Sequence, residues 1–156
     1  MAQPSLQVRY AADSTCFGCG PANEAGLRIA SHDVGDGILE ADWLPAAHHA
    51  AFPGVLNGGI IGSLLDCHSN WTAAMHLMRA HSGSRPPACV TAEFHVRLLR
   101  PTPMDSAVQL RAWVVESGPD RATTEAELRS GGVVTATCRG VFVAVKPGHP
   151  AYERWD

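Results

Sequence analysis

Between Gly54 and His81 the chain carries no proline, and its apolar residues recur at helical spacing, so any fold must first accommodate one long helix. Ile60, Leu64, Trp71, Met75 and Met78 repeat at intervals of three, four and seven. Ile61, Leu65 and Thr72 lie beside them and widen the stripe, so most of the circumference of this helix should be buried. Whatever else the chain forms must wrap around it.

The remaining sequence supplies a sheet. Residues 27–30 and 38–43 read as two strands joined around Gly35-Asp36-Gly37, a turn signal. After Ser82-Gly83-Ser84-Arg85-Pro86-Pro87, strands are expected over 88–98, 107–116, 122–129 and 133–145. Thr91, Glu93, His95 and Arg97 alternate with Ala92, Phe94, Val96 and Leu98, the period of a strand with one covered face. Two strands, one buried helix and four more strands make an α+β order, with a curved antiparallel sheet wrapped around one central helix. Residues 1–24, broken by Pro4, Gly18, Gly20 and Pro21, read as an irregular, loosely attached arm. Residues 25–146 form the domain and 147–156 a tail.

Composition narrows the classes of function. The 156 residues suit one domain, and 46% hydrophobic with 17% charged residues is ordinary for a globular chain. A net charge of −3 without a Lys or Arg run argues against nucleic acid as a partner. The first ten residues lack a basic opening followed by an apolar stretch, and no window reaches the length of a membrane span, so a cytoplasmic protein without membrane attachment is expected. Five cysteines and no secretory signal favour reduced thiols. Cys16-Phe-Gly-Cys19 has metal-like spacing, but a structural zinc site needs four ligands, and only Cys67 and His68 could complete the set if the fold brought them near. The simpler expectation is a turn with two semi-buried thiols and no metal.

Chemistry concentrates in residues 52–68. Asn57 stands at the expected helix start, where its side chain caps free amides, while Gly58 and Gly59 let another group approach the donors of the first turn. Such a terminus attracts an oxyanion. Asp66 is a carboxylate within an apolar helix, costly unless paired, hydrated or used. It shares a stripe of small or polar residues with Gly59, Gly62, Ser63, Ser69, Asn70 and Ala73, which by itself is also compatible with simple close packing. Nine positions from Asn57 to Asp66 correspond to about 13.5 Å and about half a revolution of helix. One chain therefore cannot easily grip one carbonyl with both, and joint action requires donor and carboxylate from different subunits.

Pro53-Gly54-x-x-Asn57-Gly58-Gly59, with Asp66 nine residues beyond Asn57, resembles the helix-start signature of hotdog-fold acyl-CoA thioesterases of the phenylacetic-acid-degradation type. Cys16-Phe-Gly-Cys19-Gly20, Gly26-Leu27 and Val96-Arg97-Leu98-Leu99-Arg100-Pro101 extend the resemblance over about residues 16–146. It implies a hotdog fold and a homodimer or a tetramer of dimers. It also implies that the Gly58 amide polarises the thioester carbonyl, that Asp66 of the facing subunit acts as general base or nucleophile, and that Thr91 helps to place water. No cofactor is expected, because CoA is part of the acyl-CoA substrate. Asn57 departs from the usual His. Gly59, Ser63 and Asn70 are expected near the substrate, and Arg97 and Arg100 near CoA phosphates. Three alternatives carry less: a Cys67–His68 pair, whose side chains diverge by about 100°, an enoyl-thioester hydratase or dehydratase, and a non-catalytic acyl-CoA-binding protein.

Overall fold

The computed structural model describes residues 2–156, so Met1 of the expected arm lies outside the described residues. The long helix is α2, Gly58–Ala80, preceded by a short helix α1, Leu6–Ala11. Eight strands follow in chain order: β1 His32–Asp33, β2 Leu39–Trp43, β3 Ala50–Phe52, β4 Val55–Leu56, β5 Cys89–Leu98, β6 Val108–Ser117, β7 Arg121–Ser130 and β8 Val133–Ala144. Six form one antiparallel sheet in the order β1-β2-β6-β7-β8-β5, and β3 and β4 form a small ribbon leading into α2. The sheet curves around α2, which is the expected α+β hotdog architecture.

The core lies between them. Ile61, Leu64, Leu65, Trp71, Ala73, Ala74, Met75 and Leu77 of α2 are buried, against Val108, Leu110 and Ala112 of β6, Ala122, Ala126 and Leu128 of β7, and Ala136, Cys138 and Phe142 of β8. The regular alternation of buried residues along β7, and along β6 as far as Ala112, is what a sheet with one covered face requires. Fully burying a large apolar side chain contributes roughly 1.5–3 kcal/mol, so this layer supplies most of the driving force for folding.

Four sequence expectations need correction. The stretch 27–30 is not a strand: Arg28 has φ of 51°, left-handed backbone that no strand tolerates. Instead the Leu27 and Ile29 amides donate to the carbonyls of Phe17 and Gly18, with both side chains buried. The segment before residue 24 is not a loose arm. Ser5 caps α1 by accepting from the Val8 amide, and Leu6, Gln7, Ala11 and Cys19 are buried. Six residues are too few to show a helical period, which is why α1 escapes detection. Near the other end, Trp155 stacks on Trp71 with ring centroids 4.4 Å apart, so the expected tail is docked on the core.

The fourth correction concerns β5, whose pairing with β8 slips between Thr91 and Glu93. This bulge at Ala92 reverses the alternation. Cys89 and Thr91 face α2 before it. Beyond it Phe94 and Leu98 face the helix, approaching Gly62 and Gly58, while His95 and Arg97 line a cleft on the outer face of the sheet. Thr91 and Arg97 therefore lie on opposite faces, against the uninterrupted alternation expected.

Candidate active site

Asn57 N-caps α2, its side chain accepting from the Ile60 amide at 3.1 Å, and its carbonyl accepts from the Ile61 amide. Among the described residues the Gly58 and Gly59 amides have no acceptor, so the two free donors of the first turn coincide with the two glycines. A Cβ on Gly58 would lie 3.0 Å from Leu98 Cδ1, so the bare backbone keeps the approach open. Gly58 borders a cleft of about 410 Å³ with largely apolar walls that include Phe52, Ile61, Leu98 and Leu99, with Arg100 also lining it.

Asp66 lies elsewhere. It borders a separate cavity of about 80 Å³, together with Asn70 and Thr91, the Cys16 thiol, Arg154 and Trp155. The Thr91 hydroxyl donates to Asp66 Oδ1 at 2.7 Å. Burial pushes the Asp66 carboxyl above the usual carboxylate range; the Thr91 hydroxyl opposes this, Cys16 adds to it and Arg154 opposes it. Asn70 donates to the Cys89 carbonyl at 3.1 Å, while its Oδ1 is buried without a partner among the described residues, as is Trp155 Nε1. An unmatched acceptor and an unmatched donor bordering one cavity beside a carboxylate make a polar niche suited to holding water.

The remaining candidate residues, and the histidine and tryptophan side chains around them, are placed as follows. Ser63 turns its hydroxyl back to the Gly59 carbonyl at 3.1 Å. Arg100 shares the cleft of Gly58, and Arg97 lies behind the sheet. His49 accepts from the Ala46 amide through Nδ1 and leans on Trp43, a structural role. Trp43 and Trp71 are buried in the core.

His68 and Cys67 diverge, as their neighbouring positions on a helix require. The fully buried imidazole holds the Leu39 carbonyl at 2.9 Å through Nε2 and the Ser31 hydroxyl at 2.8 Å through Nδ1. A carbonyl only accepts, so Nε2 carries the proton and Nδ1 accepts from Ser31 Oγ. Ser31 Oγ in turn accepts from Gln7 Nε2 at 3.0 Å. Burial pushes the His68 pKa down to about 4, leaving a neutral structural ring rather than a partner for Cys67. Cys67 instead faces Cys16, with 3.8 Å between sulfurs.

Arg154 and Trp155 at this site carried no signal in the sequence, since nothing local ties residues near 155 to a helix near 70. Cys67 was visible as a candidate partner of Cys16 and Cys19, but only the fold shows that it joins them and His68 does not.

A single curved antiparallel sheet around one long helix defines a hotdog protein. The family model described as Thioesterase superfamily matches residues 53–137, more than half of the chain, and the chain belongs to that superfamily. Among solved structures, a thioesterase superfamily protein from Shewanella loihica is 29% identical, covering 76% of this chain and 91% of that one with a TM-score of 0.64. A phenylacetic acid degradation-related protein from Ralstonia eutropha (21% identity, 81% and 92% coverage, TM-score 0.66) shares the fold. So does the PaaI protein of the E. coli phenylacetic acid degradation operon (18% identity, 77% and 81% coverage, TM-score 0.63). Comparison with curated proteins finds no match. Thioester hydrolysis is the class of activity that this membership supports. No helix among the described residues is long and apolar enough to cross a membrane.

Proposed function

We propose that the protein hydrolyses acyl-CoA thioesters at a site completed by a second copy of the chain, so that the working unit is a homodimer or a tetramer of dimers. The observation that carries this reading is the separation of the two catalytic elements: Gly58, with its free amide, borders one cleft and Asp66 another. Each is half of a hydrolytic site. A second feature supports a partner of the same kind. Strand β5 is a sheet edge, and it leaves Phe94 and Leu98 exposed on its helix-facing side beside the Gly58 terminus.

In this reading the thioester carbonyl oxygen accepts from the Gly58 amide of one subunit, where the first-turn dipoles stabilise the oxyanion. Asp66 of the other subunit acts as general base on water or as nucleophile, with Thr91 fixing its orientation and Asn70 Oδ1 holding the water. The carbon–sulfur bond breaks, CoA leaves as the thiol, and the acid is released. The apolar cleft by Leu98 takes the acyl chain, and Arg100 meets CoA phosphate. No cofactor is required.

Purified protein is expected to release free thiol from a member of an acyl- and aryl-CoA panel. Asp66→Asn is expected to lower kcat by about 10²–10⁴-fold, the usual weight of a general acid–base group. An undiminished rate in that variant removes Asp66 from the mechanism, and a monomer at assay concentration with full activity removes the second subunit.

A further inference from the structure

We propose that Cys16, Cys19 and Cys67 form a binding site for one Zn²⁺ ion, coordinated by the three sulfurs with its fourth position directed into the Asp66 cavity. The proposal goes beyond thioester hydrolysis and does not depend on it.

The geometry suits the ion. The three sulfurs all lie within 4.8 Å of one another. Zinc–thiolate bonds of about 2.3 Å in a tetrahedron set sulfur–sulfur edges of about 3.8 Å, and Cys16 Sγ and Cys67 Sγ are 3.8 Å apart. A disulfide would require the same two atoms to close to about 2.04 Å. The Cys16-Phe-Gly-Cys19 turn is built for the approach. A Cβ on Gly18 would lie 2.3 Å from Cys67 Sγ, and one on Gly20 would lie 2.4 Å from the Cys16 nitrogen, so only glycine lets the turn close on the helix.

The surroundings favour anionic sulfur. The Trp71 indole donates to Cys19 Sγ at 3.4 Å. Three deprotonated sulfurs at this spacing repel one another unless a cation lies between them. Cys89 and Cys138, pushed up to about 12 and about 11 by burial, lie outside the cluster. His68, the fourth ligand considered from the sequence, is committed to Ser31 and Leu39. All three sulfurs border the Asp66 cavity, where water can complete the tetrahedron. Three protein ligands with one open position is an arrangement that zinc readily adopts.

The test uses the full chain without a histidine tag, reduced, stripped of metal and desalted after addition of Zn²⁺ or Co²⁺. One zinc per chain by elemental analysis is expected, with cobalt giving sulfur-to-metal charge-transfer absorption and tetrahedral ligand-field bands that zinc bleaches. Cys16→Ala and Cys67→Ala are each expected to weaken binding by at least about 100-fold, beyond the 10–100-fold typical of losing a mere supporting partner. Cys138→Ala should leave stoichiometry and spectrum intact. The cobalt spectrum of the wild-type chain decides the matter even if a variant folds poorly. Reduced wild-type protein that retains no zinc, or that binds cobalt without sulfur charge transfer, overturns the proposal.

Discussion

Acidification should unfold this protein through His68, and the size of the effect follows from the structure. The ring is fully buried, with both nitrogens committed and a pKa pushed down to about 4 from an ordinary 6.5. The folded state therefore binds this proton less readily than the unfolded chain. For a depressed pKa the contribution is fully present above about 6.5 and is lost as pH falls toward 4. Linkage gives a loss of about 2 kcal/mol by pH 5 and about 3 kcal/mol by pH 4, at 1.36 kcal/mol for each tenfold change. Urea unfolding of the wild type and of His68→Gln should be followed between pH 7 and 4. Glutamine can donate to Leu39 and accept from Ser31 but does not titrate, so the variant is expected to begin less stable and lose stability less steeply. The gap should narrow by about 2 kcal/mol by pH 5. Asp66 acts in the opposite sense, because its raised pKa makes the folded state the better proton acceptor there, and it is common to both proteins. Parallel stability curves would refute the buried neutral imidazole.

Thr91→Val should remove the hydroxyl donor to Asp66 and move the acid limb of the kcat/KM profile to higher pH, because that hydrogen bond lowers the carboxyl pKa; an unmoved limb shows that Asp66 is not the titrating group. Gly58→Ala places a methyl 3.0 Å from the flexible end of Leu98, so circular dichroism should be unchanged while kcat falls by about tenfold or more as the oxyanion approach is crowded; unaltered kinetics would separate this amide from catalysis. Trp155→Ala should lower stability by about 3 kcal/mol, the usual cost of truncating a buried Trp, measured by denaturant unfolding. A loss under about 0.5 kcal/mol would mean that the stacked indole contributes little.

The sequence carried the elements whose signals are periodic and long. α2 and strands β5 to β8 lie within about one residue of their expected bounds, and Asn57 and Asp66 lie at the cap and the half-buried position their chemistry demanded. What escaped has a common cause, since each feature is decided by a contact distant in sequence. Residues 27–30 have strand-like composition, yet their amides are taken by the cysteine turn. The bulge at Ala92 leaves no mark in an alternating pattern, so Arg97 was grouped with Thr91 although it faces away. Docking of Arg154 and Trp155 depends on a surface that exists only once α2 is wrapped.

Five successive residues of α2 make distinct contacts: Asp66 and Asn70, one turn apart, border the polar niche, Asn70 also holding the β5 backbone, while Cys67 meets the thiols, His68 the Ser31 hydroxyl and Ser69 the interior. This stretch indexes the rotation of the helix against the rest of the molecule. A single inserted or deleted residue ahead of it would turn every one of these groups by about 100° at once, so within this family such chains should diverge here by exchange of side chains and keep the helix length ahead of Asp66 fixed.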